Sequence, residues 1–547
     1  MSSRTRPALP FDQASRTPYG RVDALEGGLI GWQQNAQPPP VAVAGGGMAG
    51  CLAAIYLARR GERVSVFECR GDPRLEKTRA GRSINLTLTT RGLTALEKVG
   101  LREAVEKRGV RLTGRVVHNP GTTPTYTAYG PDPNKHYLLS VPRPELNKCL
   151  LDGCEAEPNT TLHFGHKLLN VELPSLPRAA AAAAGFLATP RAAAAYQQQQ
   201  GIDESVVQPR LVFRLSSADR GTETSSNKTS TIVVKAVIGA DGMYSRVRAA
   251  IQRKLPRFDF SQNFISAGYK ELTIPANPSG VGDSRWRLAK NALHLWPRGK
   301  FMMIAQPNHD GSFSCTLFMP FEQKNSPEGS FDMLHTEEQV LQFFRVQFND
   351  AIPLLPNLLQ EWFANPTSPL CTVRCNPFNP GGTAVLIGDA AHAIVPFYGQ
   401  GCNCAFEDVR LLDQLWQEHG GNTARVFDQF SRQRKTHVDA IADLAIEHYH
   451  ELANKVVRPL PQRVQLKVQA AVESSRLFQW CSPGYTSLYH AVSFSHLGYA
   501  EAQRKGVESE VWLQQVASAI LICGVAVCIS VLAQITNSVL VNGVSAM

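Results

Sequence analysis

Three carboxylates in this sequence stand where they could bind the sugar part of a nucleotide. Glu68 follows the apolar run Val64 to Phe67, and Asp241 and Asp389 each follow another apolar run within a glycine-containing turn. A carboxylate at the end of a buried strand can accept hydrogen bonds from ribose or ribityl hydroxyls. Taken singly, either aspartate is more often a turn residue or a helix cap. The three together predict a nucleotide site.

A glycine motif precedes the first of these carboxylates. Gly45-x-Gly47-x-x-Gly50 joins the apolar run Val41 to Ala44 to an alanine-rich helical run, Cys51 to Arg59. Gly45 permits the tight turn, Gly47 leaves room for a pyrophosphate, and Gly50 lets the helix pack closely on the strand. The phosphates would then meet free N–H groups at a helix N-terminus. A glycine-rich turn without a ligand is the alternative, but the order of strand, helix, strand and acid favours a dinucleotide site.

Composition narrows the class of protein. The chain has 547 residues, a net charge of +10 and 43% hydrophobic residues, which is typical of a globular protein with two or more domains. Because the basic residues are dispersed, we expect no nucleic-acid partner. The 12 cysteines are scattered without the paired spacing of a zinc site, so we predict free thiols in a reducing compartment and no metal.

The C-terminal segment reads as a membrane anchor. No charged residue follows Glu510, and Val516 to Ala533 is almost wholly apolar. About 20 such residues are needed to cross a bilayer core, and Trp512 stands where an interfacial anchor would. A buried C-terminal helix is the alternative. We predict a membrane-spanning helix.

Longer motifs bear a family resemblance. Gly45–Gly50 with Glu68, Gly239–Gly242 and Gly388–Gly401, in this order, resemble the FAD-binding pattern of single-component flavoprotein aromatic hydroxylases. From about Val41 to Ala502 the chain resembles the kynurenine 3-monooxygenase family within that group. The runs that carry this resemblance are GRSINL (81–86), PRFDFSQNFI (256–265), YKELTIP (269–275), LHLWPRGKFMMIA (293–305), FSCTLFMPFE (313–322) and GDAAHAIVPFYGQG (388–401).

The resemblance implies a fold and a domain order. We expect an α/β protein in which a Rossmann-like FAD-binding domain is interleaved with an antiparallel-sheet substrate domain, followed by C-terminal helices and a transmembrane anchor. The expected segments are a disordered leader (1–37), the first part of the FAD domain (38–260, with substrate-domain strands near 111–141 and a low-complexity insertion at 173–228), the substrate sheet (261–365), the second part of the FAD domain (366–420), a helical region (421–510) and the anchor (511–547).

The resemblance also implies an activity. It implies FAD-dependent hydroxylation of L-kynurenine ortho to its aromatic amine, in tryptophan degradation, with O2 and with NADPH that docks transiently. No catalytic side chain is required, because a flavin C4a-hydroperoxide would deliver the oxygen. His392, close to Asp389, is then more plausibly structural than a general base. The resemblance also implies a location in the mitochondrial outer membrane, with the flavin domain facing the cytosol.

The resemblance also implies which residues of this sequence bind the substrate and the flavin. Arg115 and Tyr129 match the residues that bind the substrate carboxylate, and Tyr489 matches a third pocket residue, while Phe318, Pro396 and Phe397 would form an apolar slot for the ring. The flavin contacts implied in the same way, beside the glycines and Asp241, are Ala49, Glu68, Arg70, Thr87, Arg143, Leu168, Arg246, Asp389, Cys402 and Asn403.

The sequence departs from the family pattern near the predicted pocket. His448 stands where the family commonly has Asn, the arginine expected shortly after Glu451 is missing, and Cys402 replaces a usual Met. A histidine can still donate a hydrogen bond to a carboxylate, so His448 is kept as a substrate residue. The departure also leaves open a paralogue that acts on a related anthranilate- or kynurenine-like compound.

Two other functions fit part of the pattern. A membrane-tethered flavin epoxidase or reductase acting on a lipid would share the FAD fold and the anchor, but its pocket would have no use for Arg115. A non-enzymatic FAD-binding scaffold would keep the glycine turns without needing Pro396–Gly401 or the pocket aromatics.

Overall fold

The computed structural model describes residues 38–75, 85–174, 208–215, 229–322, 329–454 and 487–544. The predicted leader at 1–37 lies outside these residues, as do 175–207 and 216–228, which make up most of the predicted insertion.

A parallel sheet forms the base of the nucleotide-binding part. Four of its five described strands are mostly apolar because helices cover both faces of such a sheet, whereas the edge strand Thr160–His163 reads TTLH and is only partly buried. The strands are β1 (Val41–Ala44), β2 (Val64–Phe67), β8 (Thr160–His163), β12 (Ala236–Gly239) and β18 (Ala384–Leu386). Among the described residues the sheet has the order β18-β12-β1-β2-β8, and every pairing is parallel.

A mixed, mostly antiparallel sheet forms the second layer, in the order β17-β13-β16-β15-β14-β5-β6. The pairing of β14 with β5 is parallel, and the others are antiparallel. The substrate sheet was predicted at residues 261–365, but this sheet also includes strands that come before and after that segment. Its strands are β5 (Gly114–Val117), β6 (Thr125–Ala128), β13 (Asp259–Ile274), β14 (Ala292–Pro297), β15 (Met302–Pro307), β16 (Phe313–Pro320) and β17 (Ser368–Asn376).

Two three-stranded sheets complete the strand layers. One joins β3 (Asn85–Leu88), β7 (Leu138–Pro142) and β4 (Val110–Leu112), and brings Thr87 toward the large sheet. The other joins β9 (His166–Glu172), β10 (Arg210–Leu215) and β11 (Thr229–Val233). The described strands of this second small sheet flank residues 175–207 and 216–228.

Helices surround these sheets. The first crosses from β1 to β2 and is buried along most of its length, as its run of small apolar residues predicts. The described α-helices are α1 (Met48–Arg59), α2 (Thr90–Lys98), α3 (Arg102–Glu106), α4 (Arg143–Glu155), α5 (Arg246–Lys254), α6 (Glu337–Gln347), α7 (Leu358–Ala364), α8 (Asp389–His392), α9 (Gly401–Glu418), α10 (Thr423–Asn454), α11 (Leu488–Phe494) and α12 (Tyr499–Val544).

The C-terminal helix begins as part of the folded domain. Tyr499 and Ala502 are fully buried, and Leu513 and Ala517 face the interior further along the helix. No helix among the residues that the structure describes combines the length and the apolar character needed to cross a membrane. The structure therefore does not support the predicted anchor at 511–547.

Candidate active site

The glycine motif fits a bound nucleotide. A Cβ on Gly45, whose φ is 105°, would lie 2.3 Å from the carbonyl oxygen of Ala240, and a Cβ on Gly50 would lie 2.0 Å from the oxygen of Gly45. A Cβ on Gly47 would meet no atom within 4 Å, so open space adjoins this residue. Gly47 is also the N-cap of α1 and supplies no side-chain cap. The N-terminus of α1 is thus left for a ligand such as a pyrophosphate.

Glu68 is held as a buried carboxylate beside this turn. Its Oε2 accepts a hydrogen bond of 3.0 Å from the N–H of Gly46. Its Oε1 accepts bonds from Arg70, from the main-chain N–H at 3.0 Å and from Nε at 2.8 Å. Burial acts to raise the pKa of Glu68, but the hydrogen bonds and charge of Arg70 outweigh it and lower that pKa. An ionised carboxylate here can accept further bonds from a ribose diol.

The two aspartates differ in how their carboxylates are used. The carboxylate of Asp241 accepts bonds from the Ser245 hydroxyl at 2.5 Å and from the N–H groups of Arg246 and Val247 at 2.6 and 3.1 Å. It therefore caps α5, and burial raises its pKa. Asp389 instead begins α8 with an exposed side chain. A flavin contact for either residue remains a prediction.

A second helix N-terminus lies close by, at the start of α9. The side-chain Oδ1 of Asn403 accepts from the N–H of Thr89, and its Nδ2 donates to the carbonyls of Thr87 and Gly399, each at 2.8 Å. Cys402 lies 4.0 Å, sulfur to sulfur, from Met48 at the start of α1. The two helix N-termini are therefore adjacent, with the Asn403 amide holding the end of β3 against α9.

The other predicted flavin residues lie on several different elements. Ala49 is close to the turn before α8, since a Cβ on Gly388 would lie 3.3 Å from its Cβ. Arg143 begins α4 and Arg246 begins α5, both with exposed side chains, and Leu168 lies half-buried on β9. Their contact with a cofactor stays a prediction.

A cavity opens between the large sheet, the segment that contains residues 396–399, and α10 and α11. It holds about 730 Å³ of empty space, including its opening to solvent. The structure brings all seven predicted substrate residues into its lining: Arg115, Tyr129, Phe318, Pro396, Phe397, His448 and Tyr489. Its apolar floor comes from the sheet, through Leu293, Leu295, Met302 and Ile304.

Aromatic rings wall one side of this cavity. The ring centroids of Tyr129 and Tyr489 are 5.9 Å apart, and those of Tyr398 and Tyr489 are 5.8 Å apart. Tyr398 also lies 5.0 Å from the imidazole of His448. Burial raises the pKa values of Tyr129, Tyr398 and Tyr489 above the ordinary value for a phenol. All three hydroxyls are therefore protonated at neutral pH and can donate hydrogen bonds.

Arg115 is the charged group of the cavity. It lies half-buried on β5, and within the described ranges it has no carboxylate partner. Within the described residues the buried hydroxyl of Tyr129 makes no well-aligned hydrogen bond, but it lies close enough to the Tyr489 hydroxyl for the two groups to shift each other's pKa. A guanidinium without a carboxylate partner, beside a phenol that can donate, is suited to binding a carboxylate.

Sequence reasoning missed several residues that line the cavity. Thr89, Gln306, Tyr398 and Ser493 are among them. Thr89 could have been found, because it follows the predicted Thr87 by two residues and comes directly after the same strand. Tyr398 lies within the quoted run 388–401. Gln306 and Ser493 carried no local signal.

A buried ionic cluster lies behind α9. The ligand atoms of His392, Cys404 and Asp408 all lie within 4.8 Å of one another, as in a metal site. The guanidinium of Arg434 contacts two of these atoms, as a metal ion would: its Nε donates to Asp408 at 2.6 Å, and its Nη2 lies 3.1 Å from the Cys404 sulfur. The His392 Nε2 lies 2.7 Å from Asp408. His392 is thus held within this cluster, and its structural role remains a prediction.

Comparison with known proteins identifies the family. The family model for an FAD binding domain matches residues 39–174 and 216–445. A kynurenine 3-monooxygenase of Myxococcus xanthus is 38% identical over 472 residues, covering 86% of this chain and 89% of the relative. The enzyme of that name from Anopheles gambiae is 36% identical, and the alignment covers 89% of this chain and 87% of the relative. The enzyme from Sus scrofa is 35% identical, and the alignment covers 85% of this chain and 86% of the relative.

This chain belongs to the kynurenine 3-monooxygenase family. This family membership confirms two predictions: the FAD cofactor, and the assignment to the FAD-dependent aromatic monooxygenases. Solved structures agree on the fold. The 2-methyl-3-hydroxypyridine-5-carboxylic acid oxygenase gives a TM-score of 0.54 at 19% identity over 77% of this chain and 92% of its own. Pseudomonas aeruginosa PqsL gives a TM-score of 0.55 at 17% identity, covering 76% of this chain and 97% of its own.

Proposed function

We propose that this protein hydroxylates L-kynurenine at ring position 3, beside the aromatic amine, to give 3-hydroxykynurenine. NADPH supplies two electrons. One atom of O2 forms the new C–O bond, the other leaves as water, and the displaced ring proton passes to solvent. When bound, FAD carries the electrons from NADPH to O2. The side chains described above therefore have to bind the substrate, orient it and keep water away from it.

The observation that carries this proposal is Arg115, which lines the cavity and has no carboxylate partner among the described residues. L-Kynurenine has a carboxylate at one end and an aminophenyl ketone at the other. A guanidinium can bind a carboxylate through two parallel hydrogen bonds, which a lysine cannot reproduce. Tyr129 can add a third bond, since its buried hydroxyl has no other partner of good geometry among the described residues.

The apolar walls suit the aromatic end of the same substrate. Phe318 and Phe397 lie with ring centroids 5.0 Å apart at the cavity wall, and Pro396 adjoins them. Excluding water from this region strengthens each polar contact within it and protects a reactive oxygen donor. A lipid substrate would gain nothing from Arg115, so the lipid-oxidation alternative is disfavoured. A scaffold without activity would need no such cavity.

The test uses NADPH oxidation and product mass. We expect L-kynurenine to stimulate NADPH oxidation by the wild-type holoenzyme and to yield a product heavier by one oxygen atom. Arg115→Met should retain FAD and lose about 30- to 4000-fold in turnover efficiency, the equivalent of ~2–5 kcal/mol for one partner of a buried charge pair. Arg111→Met is the matched control, because that strand arginine is exposed and pairs with Glu106. Stimulation by a lipid but not by L-kynurenine would contradict the proposal.

We also propose that residues 511–547 attach the protein to a membrane, by similarity the mitochondrial outer membrane with the flavin domain in the cytosol. The support is the charge-free sequence after Glu510. Removing Val511 to Met547 should move the protein from the membrane to the soluble fraction. Release of the full-length protein by high salt alone would contradict a spanning helix.

A further inference from the structure

The cavity has a second polar region besides Arg115. Gln306 lies on β15 with only 5% of its surface exposed, on the apolar floor beside Ile304. One end of its carboxamide is paired, since Nε2 lies 2.6 Å from the Thr87 hydroxyl oxygen. The other end has no partner among the residues that the structure describes. Its Oε1 is not fully buried, so this oxygen can accept a hydrogen bond from a molecule in the cavity.

Thr89 lines the same cavity and is also unsatisfied. It occupies the N-cap position of α2, where a threonine hydroxyl ordinarily accepts a bond from the first turn of the helix. Here the side chain makes no capping bond, and the hydroxyl is buried without any partner in the described ranges. Only 2% of the residue is exposed. A hydroxyl that is buried without a partner, in a residue that lines the cavity, is a candidate to bind a molecule that enters it.

The two groups share one region of the cavity. Thr87 and Thr89 are two residues apart in extended backbone, so their side chains project toward the same side. Gln306 is bonded to Thr87, and all three residues line the cavity. Two neighbouring residues thus offer a hydroxyl and an amide to the cavity.

Strand pairing fixes how far this region lies from Arg115. Arg115 on β5 pairs with Leu293 on β14, and β14 is followed in the sheet by β15, which carries Gln306. Two strand spacings separate β5 from β15, or about 10 Å. That span is on the scale of an amino acid that bears one aromatic ring. A substrate whose carboxylate binds Arg115 can therefore extend its ring toward Gln306.

We propose that Thr89 and Gln306 form a second subsite, which binds the ring amine of the substrate. The inference rests on the proposed function and adds the residues that recognise the far end of the molecule. The amine offers two N–H donors, and the free amide end and the hydroxyl provide partners for them. The subsite would favour arylamines over unsubstituted phenyl ketones and fix which edge of the ring is hydroxylated.

The experiment compares two ligands across three variants. The ligands are L-kynurenine and β-benzoylalanine, which lacks only the ring amine. Binding to the FAD-loaded protein is followed by the change in flavin absorbance. Thr89→Val and Gln306→Leu should weaken L-kynurenine binding about 3- to 30-fold, and change β-benzoylalanine binding less than about 2-fold.

Thr372→Val is the matched control. Thr372 is also 2% exposed with an unpartnered buried hydroxyl, but it is absent from the cavity lining. Its variant should bind both ligands as the wild type does. If Thr89→Val and Gln306→Leu affect both ligands equally, or neither, the subsite is overturned while the proposed function stands. If the wild type binds neither ligand, the proposed function fails and the subsite with it.

Discussion

Arg91 and Val492 are 401 positions apart in the sequence and are joined by a hydrogen bond of 2.9 Å from the guanidinium Nε to the main-chain carbonyl. The same guanidinium donates to the carbonyl of Leu497 and lies 2.5 Å from the carboxylate of Glu407 on α9. α11, which contains Val492, also supplies Tyr489 to the cavity. Arg91 therefore ties this wall of the cavity to the helix that begins at the predicted flavin site.

Replacing Arg91 should loosen that wall. Arg91→Met leaves Glu407 with one buried arginine instead of two, and removing one partner of a buried pair costs ~3–5 kcal/mol. We expect a lower thermal unfolding midpoint and weaker L-kynurenine binding. Arg410→Met is the control, because Arg410 is partly exposed and 3.9 Å from the same carboxylate, so about 1 kcal/mol or less is expected. Equal effects of the two substitutions would contradict the assignment.

Glu68 should matter for FAD retention. Glu68→Ala removes a buried carboxylate that is expected to accept hydrogen bonds from the ribose, typically worth ~1.5–3 kcal/mol. The dissociation constant for FAD, measured by flavin fluorescence, should rise about 10- to 150-fold. Glu103→Ala, at an exposed ion pair with Lys107, should leave it unchanged. Unaltered FAD affinity in Glu68→Ala would argue against the ribose assignment.

His448 should act as a hydrogen-bond donor in the cavity. Its Nδ1 lies 3.4 Å from Glu451, and its ring adjoins Tyr398. An asparagine can replace the donor, whereas an alanine cannot. We expect His448→Asn to maintain or increase L-kynurenine-stimulated NADPH oxidation and His448→Ala to reduce it several-fold. Identical rates in the two variants would mean that this side chain does not donate to the substrate.

His392 should give the protein a characteristic alkaline sensitivity. Burial acts to lower its pKa, but the carboxylate of Asp408 prevails and raises the pKa to about 10. A raised pKa in the folded state means that the stabilisation is complete below the unfolded value of about 6.5 and is lost as the pH rises to about 10. The difference in thermal midpoint between wild type and His392→Gln should shrink across that interval. A constant difference would contradict a protonated His392.

Local spacing predicted the nucleotide part of the fold well. Gly45, Gly50 and Glu68 lie within one strand–helix–strand unit, so their roles depend on neighbours in sequence. Asp241 shows the limit of such reasoning. Its position after a strand suits either a sugar contact or a helix cap, and only the structure reveals the bonds to the start of α5.

The substrate cavity was predictable only in part. Arg115 and Tyr489 came from family resemblance, because nothing in their local sequence distinguishes a binding residue from a strand charge or a core aromatic. Gln306 could not be found at all. Its importance depends on which face of β15 meets the cavity and on a bond to Thr87, 219 positions earlier. Such pairings are set by the register between distant strands, which local patterns do not encode.

The bond between Arg91 and Val492 also has a consequence for synthesis of the protein. A ribosome makes the chain from the N-terminus, and domains generally fold as their segments emerge. Every predicted flavin contact precedes residue 404, whereas the cavity is closed by Tyr489 and Ser493. The growing chain can therefore assemble its cofactor site before the substrate wall exists, and Arg91 gains both of its main-chain partners only after Leu497 has been added.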